Sequence, residues 1–483
     1  MLNNLGKISQ ETIELTKSSM DLAKAITTTT GIVGYNLEAP AKQLIPFLAP
    51  LRNRIPRIVS KTGTAVHWKV ITAVTPNGRV TSTEGTRGSS VSTTLVDMLA
   101  SFKTLGLQDS VTFESLAAGR NFQDVKATAV TNLLLRVMTE EEKQILFGMT
   151  SQALSVPSAM ATSVQATGGT LGDATSVSYY VGVAALTGNG VNRNVPRSAP
   201  ASVAFDMNDG NTVVTFAAAT ADTGGGGATF ALYLSVPPVY GALGYAWFVG
   251  TASSAAATYQ ITTTTNRILL TSAVTGVTTA SSVTTNGDTT QDTYAYDGLL
   301  AQALWPQTGA TGAYFNDLAG AKLTKDNGGI SEIDAALQYI FDTWKISPTR
   351  ILCGAGVQKD ITKGIVSGYG APTLFVNNSE KNAITGNYLA ESYINSVYGG
   401  LPIPMETHPW LPAGCVIGIT EVVPFPNANI PNVLEIENGY DYMQLEYAVT
   451  QPKYEFEVRC YGALKSYFPG GQFVLTNIGT GIQ

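Results

Sequence analysis

The chain has 483 residues, with 29 Lys+Arg, 35 Asp+Glu and 2 His, a formal net charge of -6, 44% apolar residues and 13% charged ones. That length and apolar share exclude a disordered chain and suit two to four domains with cores of their own. A charged fraction near half the usual ~25% leaves little ionic surface, so much of the chain is expected to be buried against other chains. The acidic balance argues against sequence reading of DNA or RNA, which needs a basic face to exchange counterions with phosphates.

The first residues, MLNNLGKISQETIELTKSSM, lack the apolar stretch of a signal peptide. No apolar run approaches the ~18 to 20 residues that cross a bilayer, so the product is read as cytosolic at synthesis. Cys353, Cys415 and Cys460 are odd in number and far apart. They suggest buried thiols rather than a disulfide framework or a zinc site.

Residues 1 to about 60 carry an amphipathic helix over Ile8–Ala25, a TTTTG break, and then PAKQLIPFLAPLRNRIPR. Pro40, Pro46, Pro50 and Pro56 deny this stretch a long helix. Its apolar side chains, Leu44 to Ile55, need a surface to lie on, of their own body or of a neighbour. From Thr64 the pattern alternates: Val66, Trp68 and Val70 share one face, His67, Lys69 and Ile71 the other, and Asn77-Gly78 is expected to make a hairpin turn. The sequence offers no obvious sheet for this hairpin, and two strands alone are marginal.

Residues 121 to 148 give the strongest helical pattern. Phe122, Val125, Ala129, Leu133 and Val137 recur at helical spacing with Val130, Leu134 and Met138. Thr139 with Glu142 matches a capping box, so a second short helix is expected after Met138, its TEEE run explained by the helix dipole rather than as a carboxylate site.

From Gln144 to Ala321 there is not one Lys or Glu, and Ser151 to Thr293 holds 9 charges in 143 residues. The contrast with the flanks marks an insert. Its alternating runs TSVSYYVGVAAL, TVVTFAAAT, ATFALYLSV and GYAWFVG, with turn signals at TGNG, NDG and GGGG, read as an all-β sandwich. VGVAALTGNG and GALGYAWFVG resemble, loosely, fibronectin-type or immunoglobulin-like strands and turns. Beyond the insert, GGISEIDAALQYIFDTW is a helix with Ser331 as candidate N-cap and Ile333, Ala336, Leu337, Ile340 and Phe341 buried. RILCGAG reads as a buried strand, KDITKGIV as a short helix, and the tail as strand-rich.

No chemistry of catalysis is legible. His67 and His408 are distant from each other and from any Cys or carboxylate pattern, so no metal is expected. Nucleophile elbow, Walker loop and HExxH are absent from the sequence. CGAGVQKD is a tight strand-to-helix turn rather than a phosphate loop. Arg52, Arg54, Arg57 and Lys61 read as a salt-bridged or solvated arm before a phosphate site. No catalytic residue, cofactor or membrane contact is expected.

The order of segments is more telling than any one motif. A LRNRIPR arm, the TAVHWKVIT hairpin, KTLGL, VTFE, a long helix with TEEE, GLL, and QPKYEFEVRCYGAL near the end resembles the major capsid proteins of tailed bacteriophages with the Hong Kong 97-type fold. The resemblance covers about 340 residues outside the insert. It implies an α+β fold: N-terminal arm at 1–60, extended hairpin loop at 61–95, peripheral domain with its spine helix at 96–150, the inserted β-sandwich at 151–293, a remainder of mainly axial domain at 294–432, and C-terminal strands returning to the peripheral domain at 433–483. It implies hexamers and pentamers in a shell, a portal, a separate scaffolding protein if any, packaged double-stranded DNA contacted without sequence preference, assembly in the host cytoplasm and location in the virion. Arg52, Arg54, Arg57, Trp68, Lys69, Glu84 and Arg87 become candidate inter-subunit contacts, individually weak where exposed. Lys69 lies where some members cross-link, but nothing identifies a partner residue, and no cross-link is expected. The insert is expected to project as a decoration. The rival readings are an encapsulin-like compartment shell, a surface adhesin or sugar-binding sandwich, and, weakest, an enzyme.

Overall fold

The computed structural model describes residues 47–60, 63–120, 123–158, 160–165, 168–171, 179–194, 205–219, 231–250, 253–272, 276–326, 328–368, 390–423 and 429–481. The helix expected over Ile8–Ala25 and the GGGG turn lie outside these residues.

Among the described residues the first elements are β1 (Arg57–Val59), the long strands β2 (Ala65–Pro76) and β3 (Val91–Ser101), β4 (Lys103–Thr112), and the helices α1 (Phe113–Gly119) and α2 (Val125–Phe147). β2 and β3 pair antiparallel, Trp68 opposite Met98 and Ile71 opposite Leu95, with a register shift at Thr72. Among the described residues they form a two-stranded sheet that no third strand joins. Asn77-Gly78 is not the turn. Asn77 still donates to the Ser90 carbonyl, and the reversal comes at Thr83–Thr86, where Gly85 takes a φ of 79° that other residues resist.

α2 is one helix, not two. Asp124 caps it by accepting from the Ala127 amide. The hydroxyl of Thr139 bonds back to the Leu135 carbonyl within the same helix, so the capping-box pattern is not realised and Glu141 and Glu142 lie in the helix body. The expected apolar face is present: Leu133 and Val137, flanked by Val125, Ala129, Val130 and Leu134, cover Val111, Phe456 and Val458. These last belong to a four-stranded sheet, β1-β19-β20-β4, completed by β19 (Leu434–Glu446) and β20 (Lys453–Ser466).

The insert folds as two antiparallel sheets. The first, in order β10-β9-β6-β7, contains β6 (Tyr179–Leu186), β7 (Thr215–Ala219), β9 (Gly244–Gly250) and β10 (Thr258–Thr263); the second, β11-β8-β5, contains β5 (Ala161–Gln165), β8 (Ala231–Ser235) and β11 (Arg267–Leu270). Period-2 alternation splits β6 and β9 between two cores. Val181, Val183, Tyr245 and Trp247 meet Leu232, Leu234 and Leu270 of the second sheet. Ala184, Leu186, Ala246 and Phe248 join Phe147, Leu411, Cys415 and Ile417 in the core of the flanking body. The insert is not all β: TGNG opens the short helix α3 (Gly188–Arg193) under a Thr187 cap, and α4 (Ala280–Asn286) follows Thr279. Gly188 lets this helix touch α2, since a Cβ there would lie 2.1 Å from the Phe147 ring.

The remainder builds a six-stranded mixed sheet in order β12-β21-β18-β15-β17-β16, from β12 (Tyr314–Asp317), β15 (Arg350–Cys353), β16 (Ser392–Asn395), β17 (Leu401–Thr407), β18 (Val416–Ile419) and β21 (Phe473–Thr476). α5 (Leu299–Leu304), the small ribbon β13 (Lys325–Asp326) and β14 (Gly329–Ile330), α6 (Ser331–Trp344) and α7 (Val357–Gly368) complete it. Ile351, Cys353, Val416, Phe473 and Leu475 face α6 and α7, and the alternate residues Leu352, Ile417 and Val474 face the shared core. Two expectations are corrected. Ser331 is the first helical residue of α6, not its cap. The final strand β21 joins this sheet rather than the one under α2, because its alternation is apolar on both faces and suits a central strand. All three cysteines are buried and free, Cys353 and Cys460 each pushed up to about 12 by burial.

Candidate assembly surfaces

The arm root is built on carboxylates the sequence reading set aside. Glu141 is 3% and Glu142 0% exposed, although both sit on a helix. A charge buried that far needs partners. Arg52 reaches Glu141 through Nε at 2.8 Å, and Arg57 through Nη1 at 2.9 Å while its Nη2 meets Asp441 at 2.7 Å. Burial works against the Arg57 charge, but Glu141 and Asp441 together outweigh it and hold the guanidinium above its usual range. Tyr442 donates to Glu141; its hydroxyl is pushed up by burial first and by that carboxylate second. The Arg52 and Arg57 guanidiniums also lie over the Tyr442 ring, 4.9 and 5.3 Å from its centre.

Arg54 points the other way, to Glu406 at 3.1 Å and Glu421 at 3.8 Å, carboxylates that it shares with Arg350. Residues 47–59 therefore lie on their own body, strapped to α2, β19 and the six-stranded sheet at once. His408 is 2% exposed, and its Nε2 lies 2.6 Å from Glu142 Oε1. Among the described residues no group of three or more His, Cys, Asp or Glu is arranged to hold a metal.

The hairpin is the second surface. Val96 and Met98 of β3 are buried, and Val70 and Trp68 opposite them are half-buried, as is Val66 opposite Ala100. Trp68 packs edge-on to Tyr467, with the Lys465 ammonium 5.7 Å from its ring centre. The base of the hairpin is pinned by Gln307, whose amide exchanges two hydrogen bonds with the Leu99 backbone. Beside this clasp lies an open cavity of about 700 Å³ lined by His67, Asp97, Tyr296, Asp297, Trp305 and Gln307 among others. The outward face is different in kind. Ile71 is 59%, Leu95 57% and Leu99 42% exposed, in register with each other or with His67. Further out, Val74, Val80 and Val91 are also exposed.

Of the residues picked from sequence, Arg52, Arg54, Arg57 and Trp68 have partners within the chain. Lys69 sits exposed across from Asp97, and Glu84 and Arg87 are exposed in the loop between the strands. Sequence reasoning missed Glu141, Glu142 and His408, and nothing local in the sequence joins positions 142 and 408.

No family model matches the sequence, and no curated protein matches it. Solved structures similar to this chain include capsid chains and a virus-like particle from Pyrococcus furiosus, the last 9% identical with a TM-score of 0.29, covering 88% of this chain and 91% of its own. A cyanophage A-1(L) capsid subunit is 10% identical with a TM-score of 0.45, covering 94% of this chain and 98% of its own. The capsid of a native GTA particle is 8% identical with a TM-score of 0.42, covering 95% and 100%. A chain of Microbacterium phage Oxtober96 is 9% identical with a TM-score of 0.41, covering 94% and 99%.

Proposed function

We propose that this chain is the repeating structural subunit of a phage-type capsid shell, assembling through its arm and hairpin into hexamers and pentamers around packaged double-stranded DNA. One observation carries the reading: strands of 12 and 11 residues pair only with each other among the described residues and leave Ile71, Leu95 and Leu99 exposed on their outward face, with the Lys69–Asp97 pair between them. Such a ribbon is marginal alone and a liability in a free monomer. A neighbouring copy in a closed lattice covers it, and many modest contacts that must break together make the shell stable. The order of segments in the sequence supports the same role.

The finer parts of the proposal follow from charge and position. A net charge of -6 suits a wall that encloses DNA without gripping it. No described helix is long and apolar enough to cross a membrane. The second sheet of the insert, whose strand β5 is partly exposed, is the layer available as a built-in decoration. A portal completes the proposed assembly, with or without a separate scaffolding protein. Negative-stain imaging of the purified protein tests this reading. Closed shells, with nuclease-protected DNA when taken from infected cells, support it. Persistent monodisperse monomers under every condition overturn it, and nucleic-acid-free shells with a co-purifying protein cargo replace it with a compartment shell.

A further inference from the structure

The arm root meets α2 through a contact that packing alone does not require. Residues 49–55 form a single helical turn, with Asn53 bonding back to the Ala49 carbonyl and Arg54 and Ile55 to that of Leu51. The amides of Leu51 and Arg52 open this turn, and first-turn amides have no acceptor within their own helix. A nearby Ser, Thr, Asp or Asn ordinarily supplies one. Here the two oxygens of one remote carboxylate do so, Leu51 N lying 2.9 Å from Glu142 Oε1 and Arg52 N 2.6 Å from Oε2.

The carboxylate is itself held. His408 Nδ1 accepts from the Trp410 amide at 3.3 Å, which leaves Nε2 as the nitrogen that donates to Glu142. The same loop returns to the arm, since the Trp410 indole donates to the Leu48 carbonyl at 2.9 Å. Leu51 and Ile55, between these contacts, are buried in the shared core.

We propose that Glu142, oriented by His408, is a helix cap supplied from a remote segment of the same chain that seats the arm root as a latched strap: it fixes the point on the body from which the N-terminal segment starts, and residues 48–55 open as one unit when the cap is lost. Glu142 and His408 are positioning residues in this device. The inference concerns the single chain and holds whether or not the capsid reading does.

Amide hydrogen exchange on the full chain tests it. In the unmutated protein the Leu51 and Arg52 amides are expected to be protected, and rapid exchange of both would overturn the proposal. In Glu142→Gln, which removes one acceptor and presents a donor to a donor, protection across 48–55 is expected to fall about ten- to a hundredfold while the N-terminal half of α2 keeps its protection. His408→Leu should reproduce part of that loss, and His408→Gln, which retains a donor, should restore it. Equal protection of residues 48–55 in all four proteins would contradict the latch. Should Glu142→Gln fail to fold, the unmutated exchange pattern and the His408 pair still decide the matter.

Discussion

The insert and the hairpin both carry alternating apolar strands, yet they dispose of them in opposite ways. In the insert β6 and β9 bury both faces, one against the second sheet and one against the core shared with Phe147 and Ile417. In the hairpin only one face is covered, and Ile71 and Leu95 stand open to solvent. The two regions therefore differ. In the insert a charge-poor composition reports burial already completed inside the chain; in the hairpin Ile71, Leu95 and Leu99 stay exposed on a face they share with Lys69 and Asp97. The low charge of the whole protein, read at first as a sign of contacts with other chains, belongs largely to the insert.

Substitutions separate the two regions. Trp247→Ala removes the largest fully buried side chain of the insert and should cost about 3–5 kcal/mol. Denaturant unfolding is expected to remain a single transition because the insert shares its core with the body; a separate early transition would make the insert an appendage. Glu141→Ala should cost about 3 kcal/mol, the low end for a broken buried pair, because Arg52 and Arg57 keep some solvent contact.

Asp209 offers a pH test within the insert. Burial raises its carboxyl to about 6 against the pull of Arg193, with Asp292 adding to the rise. A folded value above the unfolded one means stability that is full below about pH 4 and lost as pH rises through about 6. Asp209→Asn should thus stabilise at pH 7 by about 1–2 kcal/mol, a two-unit shift discounted for partial exposure, with no gain at pH 3.5; thermal melts at both values check the sign. Smallest in stability and largest in consequence is Leu95→Ser on the hairpin. Melting of the subunit should move by no more than about 0.5 kcal/mol, while particle formation fails. A shell that forms as before would detach the outward face from assembly.

Much of this was legible locally. The alternation Val66-Trp68-Val70 against His67-Lys69-Ile71 predicted how the hairpin strand divides between its two faces, and the spacing of Val125 to Val137 predicted the face of α2. Buried strands such as RILC declared themselves by composition. What escaped was decided by distance. Thr139 and Glu142 fit a capping box, and only the arrival of Leu51, Arg52 and His408 from remote positions makes a continuous helix with two buried carboxylates the better solution. Likewise Gly188 reads as a turn residue until the Phe147 ring behind it is seen. The Asn77-Gly78 signal misled because cross-bonding between the two segments includes Asn77, which bonds Ser90, and continues past it, where the Ser89 hydroxyl donates to the Arg79 carbonyl.

Assembly is tested most directly at the outward face of the hairpin. Hydroxyl-radical footprinting of Ile71, Leu95 and Leu99, compared between assembled particles and dissociated subunits, measures it. Strong protection of these three on assembly, with Trp247 and Phe248 equally unreactive in both states, is the predicted result; a hairpin stripe that stays as reactive in the particle as in the free subunit would contradict it.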